Sequence, residues 1–180
     1  MQNSNHSSND SSVAPSITPP HWHMLINPLH LLALGFGTGL SPIAPGTVAT
    51  LFAWFSFAML DTWIGTTHWL FVITIGLVVG VIACKHTGQA LGEADHSAIV
   101  WDEILAFWII LLFLSPAHWS TQCWAFLWFR CLDITKPGPI RFVDEKVSGM
   151  GWRGAVGVML DDLLAAFLTL LIFAFWRALS

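Results

Sequence analysis

Ten of the eighteen charged residues of this chain fall between Phe129 and Asp162, and apolar sequence flanks that stretch on both sides. Ionisable groups near a bilayer are expensive, so a chain that gathers them in one place confines them to one surface. Within the stretch, Arg130, Asp133 and Lys136 fall at i, i+3 and i+6, which puts all three on one face at the end of a helix. Pro137 and Pro139 are read as stopping that helix, a Gly-rich loop follows, and the paired carboxylates Asp161 and Asp162 open the last helix.

The rest of the chain explains why the charges matter. Of its 180 residues 55% are hydrophobic and only 10% charged, with mean hydropathy +0.66, whereas a soluble domain carries about 25% charge. The chain therefore reads as one membrane-embedded domain, residues 21–180, behind a disordered Ser/Asn/Pro-rich tail at 1–20. That tail has neither the basic nor the apolar region of a signal peptide. No basic stripe suggests nucleic acid, and no protein partner can be inferred. Trp63, Trp69, Trp101, Trp119 and Trp176 stand near the ends of apolar runs, where interfacial aromatics belong. Cys84, Cys123 and Cys131 have no metal-ligand spacing. Cys123 and Arg130 are one residue too far apart for a cysteine-phosphatase loop, so the cysteines are read as structural.

The expected fold is all-α, a polytopic bundle of about four to five short membrane helices with a cytoplasm-facing polar site. Helices are expected at Val48–Leu60, at Trp69–Cys84 and from Val158 to Ala178. A hairpin is expected with arms near 98–114 and 117–133, broken at Ser115-Pro116. Each 17-residue arm rises about 25 Å. Place residues 85–103 and 130–162 on one side, with 61–67 and 115–121 on the other. Fifteen of the eighteen charges then share a side, including six of the seven Lys and Arg. An excess of Lys and Arg marks that side as cytoplasmic. The same threading brings Asp102, Glu103, Asp133, Asp161 and Asp162 to one depth.

Five carboxylates at one depth repel one another unless a cation joins them. Oxygen-only ligands suit a hard cation such as Mg²⁺, which in such sites acts on phosphate oxygens. Lys136, Arg130 and Arg141 are the candidates for phosphate contact. The Gly/Pro run 37–47 is the candidate head-group cradle through Gly37, Thr38, Gly39, Ser41, Gly46 and Thr47, because such a loop can turn backbone N–H groups toward an anion. In Asp102-Glu103 one carboxylate is expected to ligate while the other braces it or takes a proton, with Glu103 preferred as base. His96 is read as a hydrogen-bonding loop residue.

Four blocks carry a resemblance: G-T-G-L-S-P-I-A-P-G-T at 37–47, I-V-W-D-E-I at 99–104, F-R-C-L-D-I-T-K-P-G-P-I-R at 129–141 and G-V-M-L-D-D-L at 157–163. In this order they are similar to the phosphatidylglycerophosphatase A family of bacterial inner-membrane lipid phosphatases. The resemblance implies Mg²⁺-dependent hydrolysis of phosphatidylglycerophosphate to phosphatidylglycerol and phosphate. Asp102, Glu103, Arg130, Asp133, Lys136, Pro137, Asp161 and Asp162 match its motif positions. Departures are small: Ala49, Thr50, Ala106 and Ala165-Ala166 differ from the family's usual residues, and the loop from Asp144 to Gly157 is a few residues longer. The roles of Glu145, Lys146 and Arg153 are therefore not carried over. A cation-conducting or transport protein is the reading from another class, and a purely structural subunit leaves the carboxylates unexplained.

Overall fold

The computed structural model describes residues 18–147 and 149–179, and every regular element among them is helical. Of the tail expected at 1–20, positions 1–17 lie outside the described residues. Thr18 is placed, its N–H donating to the Leu91 carbonyl at 2.9 Å. The helices are α1 (Pro28–Ala33), α2 (Pro45–Leu60), α3 (Thr66–Leu91), α4 (Trp101–Leu114), α5 (Trp119–Thr135), α6 (Gly138–Val147) and α7 (Trp152–Leu179). Two are long and apolar enough to cross a membrane: α3, with 26 residues, and α7, with 28. Both predicted hairpin arms are helical, and the break between them falls at Ser115-Pro116.

At the centre stands α4, packed against α2, α3 and α7 and burying Ile104, Leu105, Ala106, Phe107, Ile110 and Leu111. The neighbouring helices turn small residues inward and large apolar ones outward. On α3, Gly76, Gly80, Ala83 and Thr87 are buried while Phe71, Ile75 and Val78 are exposed. Small residues at a helix contact with bulky residues outside is the pattern of helices packed within lipid. Trp101 uses it directly. Its Nε1–H donates to the Gly76 carbonyl at 3.0 Å, and its ring lies against Gly80, where a Cβ would come within 2.6 Å.

The structure corrects four sequence expectations. First, α3 does not end at Cys84 but runs on to Leu91, because Thr87, Gly88 and Leu91 are buried and the terminating residue is Gly92 at φ 82°. Second, α7 starts at Trp152, so Asp161 and Asp162 sit well inside it rather than opening it. Gly154 and Gly157 do not break the helix. A side chain at Gly157 would meet the Val147 carbonyl at 2.8 Å, so these glycines let α7 pack closely onto the segment before it. Third, α5 does stop at Thr135, just before Pro137, as expected, but the stretch after it is not all loop: α6 begins at Gly138, and proline is tolerated in a first helical turn. Fourth, only some tryptophans suit an interface. Trp63, Trp119 and Trp176 are exposed, but Trp69 and Trp101 are buried, each with its indole N–H hydrogen-bonded.

Candidate active site

The start of α4, the end of α5, the middle of α7 and the first turn of α2 meet at one cleft of about 430 Å³. Its lining includes Gly46, Thr47, Asp102, Glu103, Arg130, Asp133, Lys136, Asp161 and Asp162. The tether from Trp101 to α3 fixes the first turn of α4, and the next two residues are Asp102 and Glu103. Across from them α2 begins at Pro45, and Gly46 presents bare backbone to Glu103. A Cβ at position 46 would lie 2.6 Å from the Glu103 carboxyl carbon. The missing side chain at Gly46 is the space that the Glu103 carboxylate occupies.

From α5, Arg130 bridges two carboxylates. Its Nη1 donates to Glu103 Oε1 and to Asp133 Oδ2, each at 2.7 Å. All three side chains are nearly buried, at 12–13% exposure, and burial makes charge-assisted bonds of this kind strong. Lys136 caps α5 in the left-handed region at φ 40°, its N–H donating to the Leu132 carbonyl. From there its Nζ reaches Asp161 Oδ2 at 2.7 Å and Asp95 Oδ2 at 3.6 Å. Asp161 in turn accepts from the Asp162 backbone N–H at 3.1 Å.

The five carboxylates named from the sequence thus divide into distinct settings. Glu103, Asp133 and Asp162 converge, one oxygen from each lying within 4.8 Å of the others, so this cluster can hold a metal ion. Asp161 holds Lys136, and Asp102 is buried beside Glu103. Among the described residues, four buried side-chain polar atoms have no hydrogen-bond partner: Asp102 Oδ1, Glu103 Oε2, Asp162 Oδ2 and Arg130 Nε. Leaving such atoms unmet costs about 1–3 kcal/mol each, more when they are charged. Two of the orphaned oxygens, on Glu103 and Asp162, belong to the converging cluster and match the donor set of a hard cation, and the residues present fit one.

Of the predicted head-group cradle, Gly46 and Thr47 line the cleft; Gly37, Thr38, Gly39 and Ser41 do not. Thr38 Oγ1 donates to the Gly35 carbonyl at 2.8 Å, and Ser41 Oγ to the Ile43 carbonyl at 2.9 Å. Gly39 packs against the backbone of Ala98. That half of the loop folds on itself and against the segment before α4. Arg141 is exposed on α6, outside the cleft lining. His96 accepts the Ala98 N–H at 3.1 Å, a loop contact as expected.

Sequence reasoning passed over Asp95 and Ser97, both in the lining. The available signal was a carboxylate in the polar turn leading into Asp102, but no spacing rule ties it to Lys136.

The sequence model of the family described as "Phosphatidylglycerophosphatase A" matches residues 31–177. Phosphatidylglycerophosphatase A of Escherichia coli K12 is 42% identical over 139 residues, covering 77% of each chain. Its Haemophilus influenzae counterpart is 39% identical over 142 residues, 79% of this chain and 84% of that one. A Bacteroides thetaiotaomicron protein with the provisional name phosphatidylinositol-3-phosphatase is 35% identical over 155 residues, 82% of this chain and 92% of that one. No solved structure gives a significant match. A family match that spans every helix contributing to the cleft, with two relatives of that name aligned over most of their length, places this chain in the phosphatidylglycerophosphatase A family.

Proposed function

We propose that the cleft hydrolyses the terminal phosphomonoester of phosphatidylglycerophosphate, releasing inorganic phosphate and leaving phosphatidylglycerol. The observation that carries this reading is the pairing of a three-carboxylate cluster with Arg130 and Lys136 in one cleft, on a chain whose relatives bear that activity's name. Glu103, Asp133 and Asp162 would hold Mg²⁺, the orphaned oxygens of Glu103 and Asp162 and the convergence of all three carboxylates being the supporting features. Bound there, the ion would supply charge stabilisation to the phosphoryl oxygens. Lys136 and Arg130 neutralise the remaining negative charge as it builds on the phosphoryl group. Water attacks phosphorus in line with the departing glycerol oxygen; as the P–O bond breaks, that oxygen takes a proton from solvent and leaves as the glycerol hydroxyl. We assign its proton to Asp102 rather than to Glu103, because Glu103 belongs to the cluster while Asp102 Oδ1 is buried and unpartnered in the same cleft. Gly46 and Thr47 bring the start of α2 to the phosphate, where helix N-termini favour anions.

The same reading places α2, α3, α4, α5 and α7 across the bacterial inner membrane with the cleft facing the cytoplasm. Two features support it. Exposed apolar side chains such as Phe55, Phe71, Ile75, Phe167 and Phe175 cover the outer faces, too much apolar surface for water. The predicted cytoplasmic segments also supply most of the cleft. A cation path is disfavoured because the ionisable groups are gathered in that cleft and paired with Arg130 and Lys136, rather than strung along the bundle.

The test is phosphate release by purified protein from vesicles doped with phosphatidylglycerophosphate, in the presence of Mg²⁺. Stoichiometric phosphate and phosphatidylglycerol are expected. Intact substrate in a preparation shown to be folded would overturn the reading.

A further inference from the structure

Beside the catalytic cleft lies a second cavity of about 300 Å³, between the turn after α3 and the segment joining α6 to α7. Its walls are Gly92, Ala94, Gly149, Gly154 and Val158 among others, so much of what it offers is backbone and small side chains. Asp95 lines both this cavity and the catalytic cleft, and among the described residues it alone does so. Its side chain is 58% exposed, yet its Oδ2 stands 3.6 Å from the Nζ of Lys136. One oxygen-rich side chain therefore stands where the two spaces meet, within reach of the group that faces the phosphate.

A lipid whose scissile phosphate is carried on glycerol brings a short, uncharged polyol segment immediately behind that phosphate. The segment has one hydroxyl. With the phosphate at Lys136, that hydroxyl lies a few bonds away, and the Asp95 carboxylate stands 3.6 Å from the Nζ of Lys136. A cavity of this size, with several glycines in its wall and Asp95 where it meets the cleft, suits a polyol better than an acyl chain, which needs a longer apolar channel. It suits a second phosphate poorly, because Glu93 and Asp95 are both acidic and both in its wall.

We propose that this cavity seats the glycerol linker of the head group, and that Asp95 accepts a hydrogen bond from its hydroxyl. Asp95 is then a specificity-determining residue: it reads the group between the two phosphates, while its contact with Lys136 serves any phosphomonoester. This rests on the reading of the cleft as a lipid phosphomonoesterase. It adds a reason for the cleft to prefer a glycerol-borne phosphate over one attached directly to diacylglycerol. Sites built around a substrate hydroxyl discriminate strongly against analogues that lack it.

The experiment compares kcat/KM on phosphatidylglycerophosphate and on phosphatidate, which lacks the linker, for wild type, Asp95→Ala and Asp95→Asn. Loss of Lys136 positioning lowers both substrates by one common factor. Loss of hydroxyl recognition lowers only the first, so the ratio of the two isolates it. The ratio should fall about tenfold or more in Asp95→Ala, as expected for a hydrogen bond to a charged group, and less in Asp95→Asn, which keeps an acceptor. Met150→Trp, at the exposed rim of the cavity, should raise KM for phosphatidylglycerophosphate more than for phosphatidate. An unchanged ratio in both Asp95→Ala and Met150→Trp, with wild type active, overturns the inference alone. A folded wild type inactive on both lipids overturns the phosphomonoesterase reading and the inference with it.

Discussion

Lys136, which caps α5, and Asp161 of α7 meet with Nζ 2.7 Å from Oδ2, and the Asp161 side chain is almost completely buried. The pair joins the end of α5 to the middle of α7. It fixes a cation that would otherwise end a flexible four-carbon stem. In the proposed reaction, removing the cation deletes a transition-state contact, which typically costs ~10²–10³ in kcat. Lys136→Met should show a loss of that size, with Asp161→Asn showing a smaller one because the lysine remains. Asp61→Asn, whose carboxylate meets the Trp69 indole in a different cavity, should stay within about twofold of wild type, as expected for a surface change away from the chemistry. Phosphate release by protein matched for membrane insertion checks all three. A severe loss in Asp61→Asn with Lys136→Met active would reverse the assignment of sides.

Asp102 and Glu103 are adjacent but differently placed, so their variants should fail differently. Glu103→Gln removes a carboxylate from the cluster and should raise the Mg²⁺ concentration needed for half-maximal rate. Asp102→Asn should lower kcat by roughly 10²–10⁴, the usual worth of a general base, with little change in that Mg²⁺ requirement. Mg²⁺ titrations of both variants separate the roles. A shifted requirement in Asp102→Asn with none in Glu103→Gln would exchange them.

At Gly46 a single methyl is the perturbation. Gly46→Ala would place a carbon 2.6 Å from the Glu103 carboxyl carbon, and a contact under 3 Å forces something to shift. Glu103 is held by Arg130 at 2.7 Å, so the shift carries into the Arg130–Asp133 pair. Activity should fall at least about tenfold while helix content stays constant, since small displacements in an active site are costly to rate. Full activity in Gly46→Ala would mean that Glu103 is not held against α2.

Much of this was legible in the sequence, and the exceptions have physical reasons. Arg130 and Asp133 were placed on one helical face by their spacing, and they share a bond network. The hairpin broke at Ser115-Pro116 as expected because proline there leaves few alternatives. What could not be read were helix ends governed by tertiary contact. Polar residues after Cys84 suggested an end to α3, but buried Thr87 and Leu91 extend it. Gly154 and Gly157 suggested a loop, but close packing made them a helical seam. Asp95 was missed for a related reason: its meaning lies in the 3.6 Å to Lys136, a contact between residues far apart in the chain.

Topology can be tested by single cysteines in a background with Cys84, Cys123 and Cys131 replaced. Gly138 and Gly65 suit the purpose, because a side chain at the first meets nothing within 4 Å and at the second only His68 at 3.9 Å. Gly92, at φ 82°, would be strained, so the exposed Glu93 serves instead. Cysteines at 93 and 138 should be labelled from the cytoplasm and one at 65 from the opposite side. Labelling of 93 and 138 from opposite faces would contradict a one-sided site.

The most direct test is phosphate release from phosphatidylglycerophosphate by protein stripped of metal, held at neutral pH in excess EDTA, then supplied with Mg²⁺. Glu103, Asp133 and Asp162 must be ionised to ligate, so activity should also fall on acidification and recover in part with added Mg²⁺. Ca²⁺ should support poor turnover, because it relaxes the octahedral geometry that orders ligands around Mg²⁺. The account predicts no release in EDTA and restoration by Mg²⁺. Full activity in excess EDTA would contradict it.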